Sequence, residues 1–289
     1  MRALQNRLIV LGFDGIQPDG IFGAATEDAV ERFQASKGIL DDGIVGPTTA
    51  KLLGLEWPSG GASIAPNGPP LRFVQVAADK VPNYGGFVTL RLREDAAQAW
   101  NALREDAHAA GAVVTTAGGV RALTPPGASI GSAQSQTSLH YLGLAFDLAI
   151  PTGGNDPQRD PYVLALADGR WTVWAASSNA DTPEVEVDAV VIYGGAAAKI
   201  KRVRCRRRMI NFTALAALHG FRPIRPRRSF LRGTGSTMGA EWWHFQFERP
   251  LIEGATFGGE LRRVYTAAEC QKFAFWDAVA ALPWGTGWA

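Results

Sequence analysis

Two short stretches carry the residues that could do chemistry. Ser138-Leu139-His140-Tyr141-Leu142-Gly143-Leu144-Ala145-Phe146-Asp147 sets an imidazole and a carboxylate seven residues apart. Glu241-Trp242-Trp243-His244 sets a second imidazole three residues after a second carboxylate. Two His and one Asp make a three-ligand zinc site with one position open for water, and a further Glu can handle that water's protons. His140, Asp147 and His244 are therefore the candidate ligands of one zinc ion and Glu241 the candidate base. The set suits hydrolysis of a peptide bond.

The elements that must position them can be read from side-chain alternation. Leu144, Phe146, Leu148 and Ile150 alternate with Ala145, Asp147 and Ala149. This predicts a strand that projects Asp147 from a face kept clear by alanines. His140 is an odd number of residues away and cannot share that face on one continuous strand. It belongs in a preceding turn, where Gly143 lets the chain bend back. Between Glu241 and Phe247, Trp243, Phe245 and Phe247 point one way while His244 and Gln246 point the other. Glu241 falls off the regular face and belongs to the approaching loop. Two neighbouring strands would deliver both His and both acids to one cleft.

Ser-x-His-x-x-Gly-x-Ala-x-Asp followed downstream by Glu-Trp-Trp-His resembles the D-alanyl-D-alanine metallopeptidases. Their superfamily also holds lysostaphin-type endopeptidases and the zinc domain of hedgehog proteins. The resemblance implies zinc on His140, Asp147 and His244, with Glu241 as catalytic base. Relatives carry an Arg on a turn upstream of the His-Asp motif that stabilises the oxyanion. Arg121, after Gly118-Gly119-Val120, is the best-placed candidate, and a structural or surface Arg is the alternative. Ser138 would bond the substrate or orient His140, and Gln136 and Gln134 are weaker candidates for the same work. The implied activity is peptidoglycan hydrolysis of D,D-carboxypeptidase or endopeptidase type. Phage relatives cut between L-Ala and D-Glu instead, and the hedgehog-like cousins leave a non-catalytic, zinc-containing wall-binding protein as a further alternative.

Residues 1–55 hold an internal repeat: Asp19-Gly20-Ile21-Phe22-Gly23 returns as Asp42-Gly43-Ile44-Val45-Gly46. Leu4, Leu8 and Leu11 mark a helix ended by Gly12. Ala29, Val30 and Phe33 mark a second, closed by Gly38, and Pro47 opens a third through Leu52 and Leu53. The segment is similar to the peptidoglycan-binding domain of cell-wall hydrolases. Wall contact is assigned to the turn before the third helix, at Asp42, Gly43, Gly46 and Thr48. Residues 56–71, rich in Gly, Pro, Ser and Ala, read as a linker, leaving 72–289 as the catalytic domain. The fold class expected is α+β: a three-helix module, then a domain with a central antiparallel sheet flanked by helices.

Further elements follow from periodicity. Strands are expected at 88–92, 112–116, 171–175 and 185–193, and a helix at 94–110 with His108 in its last turn. Asn211 should cap a helix over 212–218 that His219-Gly220 closes, and 267–282 reads as one amphipathic helix. His108 and His219 are expected to be capping or solvated residues.

No apolar run approaches the roughly 18 residues that span a membrane. The opening Met1-Arg2-Ala3-Leu4-Gln5 enters a helical pattern without the features of a signal peptide. This points to synthesis in the cytoplasm and action on the wall after release, as for an endolysin, or to export if the true N-terminus is longer. Cys205 and Cys270 are too few for a disulfide scaffold and are expected as reduced thiols. Of 29 basic residues, 12 fall within 199–232, which has no acid, leaving 17 against 27 acidic residues elsewhere. Without a nucleic-acid motif, this run suggests anionic envelope polymers or, equally, a solvated face with internal carboxylate partners. Peptidoglycan is the expected partner and a monomer the expected state.

Overall fold

The computed structural model describes residues 1–282 apart from 21, 40, 42, 44, 56–63, 82–84, 129–134, 150–153, 253 and 254. The first helices are α1 (Arg2–Val10), α2 (Ala24–Ser36) and α3 (Pro47–Leu53). Strands β1 (Phe73–Ala77) and β2 (Thr89–Arg93) lead into α4 (Glu94–Ala109). Then come β3 (Ala145–Asp147), β4 (Tyr162–Ala167), β5 (Arg170–Ala176), β6 (Glu184–Tyr193) and β7 (Lys199–Asn211). Helix α5 (Phe212–Leu218), β8 (Phe221–Pro223), α6 (Arg228–Leu231) and a 3-10 turn (Thr237–Ala240) precede β9 (His244–Phe247). The last helices are α7 (Phe257–Val264), α8 (Ala267–Gln271) and α9 (Trp276–Val279). The class is α+β, and among the described residues antiparallel pairing forms three sheets: β1-β2, β3-β9-β8 and β4-β5-β7-β6. The chain divides into two compact units, one of residues 1–72, 122–142 and 251–289, the other of 73–121 and 143–250.

In the first unit, Leu4, Leu8, Val30, Phe33 and Leu53 close a core under α1, α2 and α3. The sequence repeat has a physical cause. Gln5 Oε1 accepts the Gly20 amide at 2.8 Å while its Nε2 donates to Thr26 Oγ1 at 3.2 Å. Gln34 repeats both bonds, to the Gly43 amide at 2.8 Å and Thr49 Oγ1 at 3.2 Å. Gly20 and Gly43 thus each hang from a buried glutamine, at φ 88 and 74, where a Cβ is strained. The tail does not form one helix. Ala274 donates its N–H to Thr124 O at 2.8 Å, and Phe273 packs edge-on against Tyr141 at 4.9 Å, so α8 and α9 are separate.

In the second unit, α4 lays Trp100 against Phe146, 4.7 Å between ring centres, and Phe146 stacks on Phe245 at 5.5 Å. The expected strand at 112–116 is absent as such, because side chains take its backbone groups. The Asp79 carboxylate accepts the Val114 N–H at 2.7 Å, and Tyr162 Oη accepts the Thr115 N–H at 3.0 Å. A bridge between Asp79 and Thr115 remains, and the Thr116 carbonyl accepts the Phe87 N–H at 2.8 Å. Burial alone would raise the Asp79 pKa. The Val114 amide, His108 and Arg104 outweigh it and hold the carboxyl below its ordinary range. His108 therefore pairs with Asp79, at 2.6 Å, while His219 pairs with Asp106 at 2.8 Å. Asn211 caps α5 as expected, its Oδ1 accepting the Ala214 N–H at 2.9 Å.

The basic run is mostly β7, and β6 answers it: Arg202 bonds Asp188, Arg204 bonds Glu186 and Arg206 bonds Glu184, at 2.8, 3.2 and 3.1 Å. Cys205 and Cys270 are free and buried.

The glutamine hinge predicts that Gln34→Leu, which strands the buried Gly43 amide, costs about 1–3 kcal/mol locally. Hydrogen exchange at Gly43 should speed up roughly tenfold or more while amides of α4 keep their rates. Unchanged exchange at Gly43 would show that the turn does not depend on Gln34.

Candidate metal centre

The β3 and β9 strands pair antiparallel with Asp147 opposite His244, Phe146 opposite Phe245 and Ala145 opposite Gln246. Directly opposed residues share a face, so Asp147, His244, Ala145 and Gln246 stand on one side and the two phenylalanines fill the core on the other. This is the alternation the sequence carries; of that run, Ile150 lies outside the described residues. His244 Nδ1 is 3.1 Å from Asp147 Oδ1.

His140 reaches the same place from a turn. Tyr141 donates its N–H to Ser138 O at 3.0 Å and Leu142 to Leu139 O at 3.1 Å. Ser138 Oγ accepts the His140 N–H at 3.4 Å, so its hydroxyl holds the ligand's backbone. Gly143 leaves the turn at φ 67, and a Cβ there would meet the Arg93 nitrogen and the Phe73 ring at 2.7 Å. No other residue fits without moving β2. Its carbonyl in turn accepts the Arg93 N–H at 2.9 Å.

His140, Asp147 and His244 each offer one ligand atom, and these atoms lie within 4.8 Å of one another. An ion with bonds of about 2.0–2.2 Å sets tetrahedral ligand atoms roughly 3.3–3.6 Å apart, a spacing that a small closure of this group supplies. The donor set therefore fits a divalent metal ion. Charge supports it too. Burial pushes the His244 pKa down, yet the Asp147 hydrogen bond, the charges of Asp147 and Glu241, and Gln246 together carry it above its ordinary value. The pocket attracts positive charge at this ring.

Glu241 sits where the approaching loop turns, in the left-handed region at φ 53 and ψ 10. For a residue with a Cβ this costs about 1–2 kcal/mol and persists only where neighbours enforce it. They do. Trp171 Nε1 donates to Ala240 O at 2.5 Å, and Arg227 donates its own N–H to Gly239 O at 2.7 Å. The Arg227 side chain then grips Glu241 Oε1 through Nε at 3.0 Å and Nη2 at 2.8 Å.

The remaining candidates are placed as follows. Arg121 is half-buried, three residues beyond Gly118, whose carbonyl accepts the Asp147 N–H at 3.0 Å. Gln136 is half-buried, and Gln134 lies outside the described residues. In the first helices, Asp42 lies outside the described residues, Gly43 is buried with its amide on Gln34, Gly46 precedes α3 and Thr48 is exposed on its first turn.

Sequence reading missed Arg227 and Trp171, which carry no signature beyond a basic run and a core aromatic. Alternation puts Gln246 on the face of His244, where the structure has it opposite Ala145. It is buried, donates from Nε2 to Glu248, and leaves Oε1 without a hydrogen-bond partner of good geometry. An imidazole N–H of His244 is the donor that would satisfy it, fixing the ring as outer partners of metal-bound histidines do. Gln246→Leu should weaken zinc binding about 10- to 100-fold by calorimetric titration. An unchanged affinity would remove Gln246 from any support of His244.

Among the described residues, no helix is long and apolar enough to cross a membrane. No curated protein and no solved structure matches the chain significantly. Residues 1–53 match the family described as a putative peptidoglycan binding domain, which gives the chain a cell-wall-associated role with peptidoglycan as partner.

Proposed function

We propose that the protein is a zinc-dependent peptidase of bacterial peptidoglycan. The observation that carries this reading is the convergence of His140, Asp147 and His244, with Glu241 held in a strained turn three residues before His244. The match of residues 1–53 to a wall-binding family supports the choice of substrate. The stem and cross-link peptides of the wall, cut at D-Ala bonds, are the substrates that the Glu-Trp-Trp-His motif favours.

His140, Asp147 and His244 would hold the ion. Zinc bound there would supply Lewis acidity, drawing charge from the scissile carbonyl and making water acidic enough to attack near neutral pH. Glu241 handles the protons. Arg227 holds Oε1 through Nε and Nη2, so Oε2 is assigned to take a proton from the attacking water and return it to the leaving amine nitrogen. Arg121 is assigned to the carbonyl oxygen, where a guanidinium would stabilise the developing negative charge. The exposed Thr48 turn is assigned to wall contact, which would keep the peptidase near its bonds and raise their effective concentration.

Mass spectrometry of purified peptidoglycan digested with and without a chelator tests the reading. Chelator-sensitive loss of terminal D-Ala, or new D-Ala ends at cross-links, is the expected result. Stem peptides beginning at D-Glu would instead mark an L-alanyl-D-glutamate endopeptidase. A zinc-loaded protein that binds wall and releases nothing would be a binding protein. Glu241→Gln should keep its zinc and lose about 10²- to 10⁴-fold in turnover; activity near wild type would take Glu241 out of the mechanism.

A further inference from the structure

Arg227 is one of the 12 basic residues of 199–232. The β7 arginines 202, 204 and 206 lie in solvent and answer acids on the neighbouring strand. Arg227 is withdrawn from solvent: its side chain is 12% exposed and that of its partner Glu241 13%. Its two bonds do not divide between the carboxylate oxygens, as a fork facing a carboxylate squarely would. Nε and Nη2 converge on Oε1, at 3.0 and 2.8 Å. A carboxylate held this way can neither rotate freely nor present Oε1 to another donor.

The same residue also fixes the backbone behind the carboxylate. Its N–H meets Gly239 O at 2.7 Å, two residues before Glu241. Gly239 itself is packed close: a Cβ there would come within 3.2 Å of Phe230 Cβ and 3.4 Å of Arg227 Cβ. Arg227 therefore sets both where the left-handed turn lies and which way its carboxylate faces.

Resting on the peptidase reading above, we propose that Arg227 is the positioning residue of the catalytic base, holding Glu241 by Oε1 so that Oε2 is free for proton transfer. A guanidinium is suited to this. Its planar array offers two N–H groups at fixed spacing to one oxygen, whereas an ammonium is a point charge whose donors turn freely. Displacing a catalytic group by about 1 Å can cost 10²-fold in rate while leaving substrate binding intact.

The test compares Arg227→Gln and Arg227→Lys with wild type in the full-length zinc-loaded chain. Each is measured for zinc content and for kcat and KM on a soluble cross-linked muropeptide. Arg227→Gln is expected to lose roughly 10- to 100-fold in kcat, with zinc content unchanged and KM within about twofold. Arg227→Lys should recover only part of that loss, since charge alone does not fix the carboxylate. A kcat within about twofold of wild type for Arg227→Gln overturns the proposal. So does a kcat loss accompanied by lost zinc or a raised KM, which marks a merely structural arginine. If Arg227→Gln does not fold, Arg227→Lys is judged by the same three readouts, and full kcat in it overturns the proposal. Failure of wild-type, zinc-loaded protein to cut any muropeptide overturns the peptidase reading itself and the proposal with it; that failure shows in the unmutated chain.

Discussion

Asp147 and His244 face each other across one antiparallel pair, and the rest of the site depends on that register. In such a pair opposed side chains lie about 4.5–5.5 Å apart at Cβ on one face, so two ligand atoms can approach without either backbone bending. A slip of one residue by either strand would turn its own Asp147 or His244 into the core and its phenylalanine out. The aromatic packing forbids this: Phe146 touches Trp100, Phe221 and Phe245 at once, with ring centres 4.7–5.5 Å apart. The core thus enforces the polar geometry. Moving the ligands means unpacking several fully buried rings, each of which contributes on the order of 2–3 kcal/mol by burial.

His140, the third candidate ligand, and the Glu241 carboxylate come from turns, and turns need outside support. For His140 that support is the tight fit of Gly143 against Arg93 and Phe73, which fixes where the bend ends. For Glu241 it comes from the four-stranded sheet inserted between the two motifs. The β6–β7 turn accepts the Thr237 N–H at Gly195 O, 2.8 Å, and gives the Ala198 N–H to Gly235 O, 2.8 Å. Trp171 on β5 pins Ala240. Three contacts within seven residues clamp the loop that ends at Glu241. The stretch between the motifs thus supports the strained backbone at Glu241 through these bonds.

How much of this was legible follows from the range of the forces involved. Alternation is local, so the faces of β3 and β9 and the turn at His140 could be read from residues 140–150 and 241–247 alone. The glutamines of the repeat were visible as residues but not as hinges, because Gln34 reaches a Gly nine positions on and Gln5 one fifteen positions on. The strand expected at 112–116 had the right composition. It was lost to Asp79 and Tyr162, side chains 35 and 47 residues away that satisfy the same amides. The single tail helix failed similarly, since Thr124 took the Ala274 amide. Arg227 was hidden for a different reason. Arginines look alike in a basic run, and only the folded chain separates one that grips Glu241 from those in solvent.

The basic run itself shows what charge counting can and cannot decide. Counted along the chain, 12 cations without an acid suggest a surface waiting for a polyanion. Folded, the register sets Arg208, Arg206 and Arg204 opposite Glu184, Glu186 and Asp188, and each closer bond runs diagonally, Arg206 to Glu184 and Arg204 to Glu186. These pairs are exposed, so each contributes only about 0–1 kcal/mol to stability. Their larger effect is on register, since a one-residue shift would leave one of the three acids opposite a cation and set another opposite Cys205. Three acids on β6 face seven cations on β7, so the strand pair keeps a net positive charge. The internal-partner reading holds for Arg202, Arg204 and Arg206, and the turn beyond them bonds Thr237 through Gly195 O.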